Sequence, residues 1–143
     1  DREGIIQDDL VSFQLSQLRW LPATQNLGAP PCPLRSHTAC LQSSRNTLYI
    51  LGGYREDGKP NKHIYAQDLK SFVWTKFPFT SKTIKEGSSF CSYGSNLIQF
   101  GGKERDKTLS ANLSMYSEKK GWTIMTTKGE LPSPRWNHSC CLQ

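Results

Sequence analysis

No catalytic constellation can be assembled from this sequence. It lacks a Gly-x-Ser-x-Gly elbow, a His-Glu-x-x-His pair and a glycine-rich phosphate loop, so activated-serine, zinc-hydrolase and P-loop chemistry have no residues to run on. Histidine is scarce: His37, His63 and His138 are the only three. No apolar run approaches the ~18 residues of a membrane span, and no segment has the form of a signal peptide. No long stretch carries a 3.6-residue period, so helix is expected to be nearly absent. The five cysteines are an odd number and form no Cys-x-x-Cys, which removes the usual zinc and redox spacings.

What the chain has is a repeat. Leu48-Tyr-Ile-Leu-Gly-Gly53 is a short apolar, β-branched and aromatic run that stops on a glycine pair, the pattern of a buried strand. Forty-nine residues later Asn96-Leu-Ile-Gln-Phe-Gly-Gly102 does the same. Downstream of the pairs come Ile64 to Trp74 and Leu113 to Trp122, and Leu10 to Trp20 has the same form. Upstream, Pro33-Leu-Arg-Ser-His-Thr-Ala-Cys40 returns as Pro134-Arg-Trp-Asn-His-Ser-Cys-Cys141, with Lys85-Glu-Gly-Ser-Ser-Phe-Cys91 between them. Cys40, Cys91 and Cys141 are spaced by 51 and 50. Glycine, tryptophan and cysteine keep one register.

Arg-x-His, a strand closing on Gly-Gly, an aliphatic-aromatic strand and a Trp strand, with a period of about 50 residues, together resemble the kelch repeat of β-propellers over nearly the whole chain. The resemblance implies an all-β fold of four-stranded antiparallel blades. Residues 1–26 would be the outer half of one blade, 33–80 and 85–128 two complete blades, and 132–143 the first strand of a further one. Fewer than three repeats cannot close a ring of ~4–8 blades, so an open, partial propeller is expected, cut inside a larger one. The connection from Ala23 to Pro33 reads as a loop by its turn chemistry. Trp20, Trp74 and Trp122 are expected on outer strands with their rings packed between blades, while Trp136 departs from the pattern. His37 and His138 share a repeat position, which predicts a repeated structural hydrogen bond and not a ligand pair.

Cys40, Cys91 and Cys141 would fill equivalent places on neighbouring inner strands as small buried thiols. Reduced cysteines suit a reducing compartment, the cytoplasm or nucleus. The net charge is +6, yet residues 1–31 carry two basic and four acidic groups, so the excess lies downstream, much of it in connections. In kelch domains the loops joining second to third strands, and one blade to the next, crowd at one face that many members use for binding. The residues expected to meet a partner there are Arg35, Arg55, Asn61, Lys62, Arg105 and Arg135. Positive charge with arginine forks favours a protein or peptide of acidic character. Nucleic acid is disfavoured, because Glu56, Asp57, Glu104 and Asp106 interrupt the basic loops and no aromatic-basic interleaving supports stacking. No catalytic, cofactor, metal or small-molecule site is predicted, and no membrane contact.

The resemblance therefore implies a non-catalytic protein-interaction module. Two alternatives stay open. Some kelch-like propellers belong to copper oxidases or are attached to a catalytic domain such as a methyltransferase. A copper site needs two His and Tyr ligands near the axis, and this segment supplies no such set. Others link actin, which several propellers or a coiled coil would favour.

Overall fold

The computed structural model describes residues 6, 8–22, 26–78, 85–104, 106–117 and 119–142. Among them the chain is all-β, with eleven strands and one 3-10 turn at Ser43–Arg45. The strands form three separate sheets that do not close into a ring.

The first sheet is a hairpin of β1 (Ser12–Gln14) and β2 (Arg19–Leu21), with Phe13 opposite Trp20. The second comprises β4 (Leu34–Gln42), β5 (Thr47–Arg55), β6 (His63–Asp68) and β7 (Val73–Pro78), paired antiparallel in chain order. A fifth strand, β3 (Leu27–Gly28), adds in parallel to the outer edge of β7. The third sheet runs β8 (Ser89–Tyr93), β9 (Asn96–Phe100), β10 (Leu113–Ser117) and β11 (Gly121–Ile124).

Successive residues of a strand face opposite ways, and β5 shows what this does. Leu51 packs with Ile64, Phe90 and Leu97 between the second and third sheets, joined by Cys40, Tyr49, Tyr116 and Trp122. Its neighbour Ile50 packs with Leu34, Tyr65 and Trp74 on the other face, against Leu10 of the first unit. The second sheet is thus buried on both sides, which is why Leu48 to Gly53 reads as an apolar run and not as an alternation.

Four expectations need correction. Trp74 is 3 % exposed and Trp122 half-buried, but Trp20 is 67 % exposed. Its only described ring contact is an edge-on one to Phe13, at 4.9 Å. Among the described residues no further sheet covers that side of the hairpin. The segment expected as pure loop between Ala23 and Pro33 contributes β3, because Leu27 and Ala29 donate to the carbonyls of Phe72 and Trp74. Of residues 132–143, expected as a first strand, the described 132–142 form none: among the described residues no second strand lies beside them to supply a ladder. Accordingly Cys141 lies outside any strand and is exposed, as is Cys140.

Candidate functional site

The antiparallel register sends the starts of β4 and β6 and the end of β5 to one end of the second sheet, and β8, β9 and β10 repeat this in the third. Each sheet closes there on a turn of one design. In the first turn Arg55 N donates to Lys59 O and Gly58 N to Arg55 O. In the second, Glu104 N donates to Thr108 O and Lys107 N to Glu104 O. Gly58 and Lys107 hold the same left-handed corner, at φ 71 and 70. An aspartate braces each turn. Asp57 accepts from Lys59 N at 3.1 Å, and Asp106 from Thr108 N at 3.0 Å. These hydrogen bonds hold both carboxyls below their ordinary pKa, the backbone bond of Lys59 leading for Asp57 and the Thr108 hydroxyl for Asp106.

Behind the turns lies a buried polar layer. Asn61 is 1 % exposed. Its amide donates to Gly52 O at 3.1 Å and His63 O at 2.9 Å, and its Oδ1 accepts from His63 N. Ser110 holds the equivalent place: Ser110 N donates to Gly102 O as Asn61 N does to Gly53 O. The shorter serine is met by Lys85, itself 1 % exposed, whose Nζ donates to Ser110 Oγ at 2.7 Å. Burial lowers the Lys85 pKa, opposed by the Glu104 carboxylate.

The sheets are tied at this end by three residues with positive φ: Ser36 at 54, Gly87 at 58 and Asn137 at 52. Gly87 N donates to Ser36 O, and Asn137 N to Gly87 O. The glycine pairs are needed because these segments pass close by. A Cβ on Gly53 would lie 2.6 Å from Arg35 O, and one on Gly101 2.5 Å from Arg135 O.

The sequence-predicted contact residues sort as follows. Arg35 is exposed, its guanidinium 5.9 Å from the Tyr54 ring centroid. Arg55 is half-buried and paired with Asp57 at 2.7 Å, and its Nε is buried without a hydrogen-bond partner. Lys62 is exposed. Arg135 is exposed and folds back on Ser133. These four lie at the loop end. Arg105 lies outside the described residues. Asn61 is a correction: its amide is spent on main-chain carbonyls and none of it reaches the surface. The register brings a second one. Counted from the left-handed residue, Arg35 is matched by Glu86 and Trp136, whereas Arg135 matches Leu34 and Lys85, so the two arginines are not equivalent. Between Glu86, at 2.8 Å, and the Trp136 ring, at 4.0 Å, Lys103 is held in place.

The open space at this end flanks Arg55. A groove of about 310 Å³ is lined by Arg55, Lys59, Pro60, Lys62 and His63, and a second of about 420 Å³ by Cys32, Pro33, Arg55, Glu56 and Asp57. Burial, then Lys76, Arg55 and Lys62, push the His63 pKa down. Sequence reasoning missed His63, a lining residue of the groove, and Lys76, whose charge acts on it. The signal was there: His63 and Tyr65 are alternate residues of one strand, and Lys76 faces Tyr65 across the ladder.

Other chemistry has little to build on. Among the described residues no three of His, Cys, Asp and Glu gather as a metal site. His37 and His138 both hydrogen-bond, but to unlike partners: His37 Nδ1 to Leu34 O at 3.2 Å, His138 Nε2 to Ser89 Oγ at 2.8 Å. All five cysteines are free. Burial, with Cys91 and Cys140 nearby, raises the Cys40 pKa to about 12, and burial with Cys140 raises Cys91 to about 11. Cys91 thus has both Cys140 and Cys141 as neighbours.

A family model for the KLHDC2/KLHL20/DRC7 Kelch-repeats domain matches residues 1–143. Among curated proteins the chain is similar to human host cell factor 2, 28 % identical over 98 % of this chain and 20 % of that one. It is also similar to dynein regulatory complex subunit 7 of Chlamydomonas reinhardtii, 27 % identical over 71 % of this chain and 9 % of that one. Rho GTPase-activating protein gacHH of Dictyostelium discoideum is 30 % identical over 78 % of this chain and 8 % of its own. The chain spans a fifth or less of the length of these relatives.

Proposed function

This chain belongs to the kelch-repeat family, and on that premise we propose that it is a non-catalytic module that presents the loop end of its sheets to a protein or peptide of acidic character. Kelch repeats are generally protein-interaction domains, and the premise supplies the class of function. The finer reading rests on one observation: exposed Lys59 and Lys62 and half-buried Arg55 line a groove at the end where the connections converge, and exposed Arg35 lies at that same end. An acidic side chain entering beside Lys62 meets positive charge that no described carboxylate pairs with. Asp57 already engages Arg55 and Lys59, at 2.7 and 3.5 Å. A partner carboxylate competes with Asp57 for that fork, which tunes affinity downward and favours a bidentate ligand. The five free thiols support a reducing compartment, so we place the protein in the cytoplasm or nucleus.

The test is charge reversal. Arg35→Glu and Lys62→Glu change exposed side chains and leave the fold intact. Binding of a labelled Asp/Glu-rich peptide library is measured for each at two salt concentrations. Affinity and its salt dependence are expected to fall together. Unchanged affinity in both folded variants would remove the loop end as the binding site.

A further inference from the structure

The two grooves at the loop end share Arg55 and differ in sign. Arg55, Lys59, Lys62 and His63 line the first together with Pro60, and no described carboxylate lines it. Glu56 and Asp57 line the second together with Cys32 and Pro33, and Arg55 is the one described cation there. Every lining residue belongs to β5, to β6, to the loop between them or to the segment leading into β4. Both grooves are therefore built by one complete repeat from the middle of the chain.

The charges of the turn are spent unevenly. Asp57 accepts from Arg55 Nη2 at 2.7 Å and from Lys59 N at 3.1 Å, and lies 3.5 Å from Lys59 Nζ. Lys62 in the first groove and Glu56 in the second are both exposed. Neither side chain has an ion pair or hydrogen bond with any described residue. The main-chain bonds from Arg55 N to Lys59 O and from Gly58 N to Arg55 O hold the turn that carries Glu56. One free cation and one free anion thus stand on either side of a closed ion pair, each with a recess beside it. A polyanion lying across both recesses would bring negative charge against Glu56. A polycation would bring positive charge against Lys62. A segment of mixed sign satisfies both. Pro60 and Pro33 give the two grooves apolar walls, on which the methylene stem of a long charged side chain can lie.

We propose that the loop end recognises a bipolar segment of a partner protein, with an acidic side chain in the first groove on Lys62 and a lysine or arginine in the second on Glu56. This ligand class rests on the loop end being the binding surface of the module, and it adds a base to the acid already placed there. The base selects. A uniformly acidic segment is repelled by Glu56, whereas one with a base on the far side of the Arg55–Asp57 pair is held at both ends. Exposed charges of this kind contribute little affinity each, so they sort partners and fix the direction in which a segment lies.

Fluorescence anisotropy with labelled synthetic peptides and the full 143-residue chain, in reductant, tests this. The mixed peptides carry a pair of Glu, a Gly-Ser spacer of graded length and a pair of Arg, made in this order and in the reverse order. The reference is an all-Glu peptide of the same length. One order of the mixed peptides is expected to bind ~3- to 5-fold more tightly than the reference, the effect of one exposed ion pair. Glu56→Lys is expected to erase that difference. Both Glu56 and Lys62 are exposed, so the exchange Glu56→Lys/Lys62→Glu keeps the fold and is expected to prefer the opposite order. An all-Glu peptide that binds the native chain as tightly as every mixed one would overturn the proposal and leave the loop end standing as an acid-binding surface. So would a preference of order that survives in either variant. Binding of no peptide to the native chain would overturn both readings.

Discussion

The ammonium of Lys85 donates to the hydroxyl of Ser110 over 2.7 Å, in a buried place that the preceding repeat fills with Leu34 and Asn61. One repeat carries its donor just ahead of the strand that starts the sheet, the other on the segment leading into the third strand. The exchange predicts coupling. Lys85→Leu and Ser110→Asn together recreate the earlier pair, and the double variant is expected to recover stability that the singles lose. The coupling read from urea unfolding should be about 1 kcal/mol or more. Strict additivity would break the equivalence of the two places.

Two tryptophans at one repeat position should respond oppositely to truncation. Trp74→Ala is expected to lower stability by ~3–5 kcal/mol, the range for a buried aromatic. Trp20→Ala should change it by less than about 1 kcal/mol, as surface substitutions do. Equal losses on thermal unfolding would contradict the exposure of Trp20.

The two turns at the loop end make a comparison of glycines possible. Lys107 already holds the left-handed corner that Gly58 holds, so Gly58→Asn should cost little, under about 1 kcal/mol. Gly53→Ala places a methyl 2.6 Å from Arg35 O at φ 80 and should cost several-fold more. Circular dichroism melts of the two variants decide the point.

Acid should weaken the fold in a defined window. His63 and His138 both have pKa values pushed below the ordinary 6.5, mainly by burial, then by nearby cations. The unfolded chain therefore takes up these protons first. Stability falls as pH drops through 6.5 and levels off once the folded values are passed. Asp57, Asp68 and Asp106, held below 3.8, act only in stronger acid, where stability falls again as they protonate. Urea midpoints at pH ~7.5 and ~5.5 should differ in the native chain and converge in His63→Gln/His138→Gln.

Thiol chemistry should separate the cysteines by place. Cys32, Cys140 and Cys141 are exposed and should react with an aromatic disulfide reagent in the native state. Cys40, with its pKa raised to about 12, should react only on unfolding. Fewer than five reactive thiols in denaturant without reductant would reveal a bridge.

Much of the fold was legible because the marks that carry it are backbone demands. Gly53 and Gly102 stand where another segment passes within van der Waals reach, and no other residue suits them. The double-sided burial of β5 wrote itself as an apolar run. What stayed hidden depends on partners far along the chain. Trp20 and Trp74 look alike in sequence, and what separates their exposure is the packing of Leu34, Ile50 and Tyr65 on Trp74 together with β3 beside it. Residues 132–142 have the pattern of a strand, but a strand exists only beside another. At the candidate site, charge was legible and spending was not: nothing local shows that Asn61 gives its amide to Gly52 and His63. The one-residue offset between Arg35 and Arg135 was hidden by a shared Pro-Arg appearance, and only the left-handed column of Ser36, Gly87 and Asn137 exposes it.

That column also bears on how such a chain tolerates change over time. Because Gly87 bonds to Ser36 and Asn137 to Gly87, neighbouring sheets are aligned by a relay of main-chain hydrogen bonds at their inner rim. The stretches that cross between sheets then carry no duty of alignment. Insertions and deletions in them can accumulate without shifting any strand out of step, whereas a single residue gained between the relay and the cysteine that follows it would reverse every side chain of an inner strand. Descendants of one ancestral repeat should therefore differ most in the length of their crossings and least in the four steps from relay residue to the cysteine that follows it.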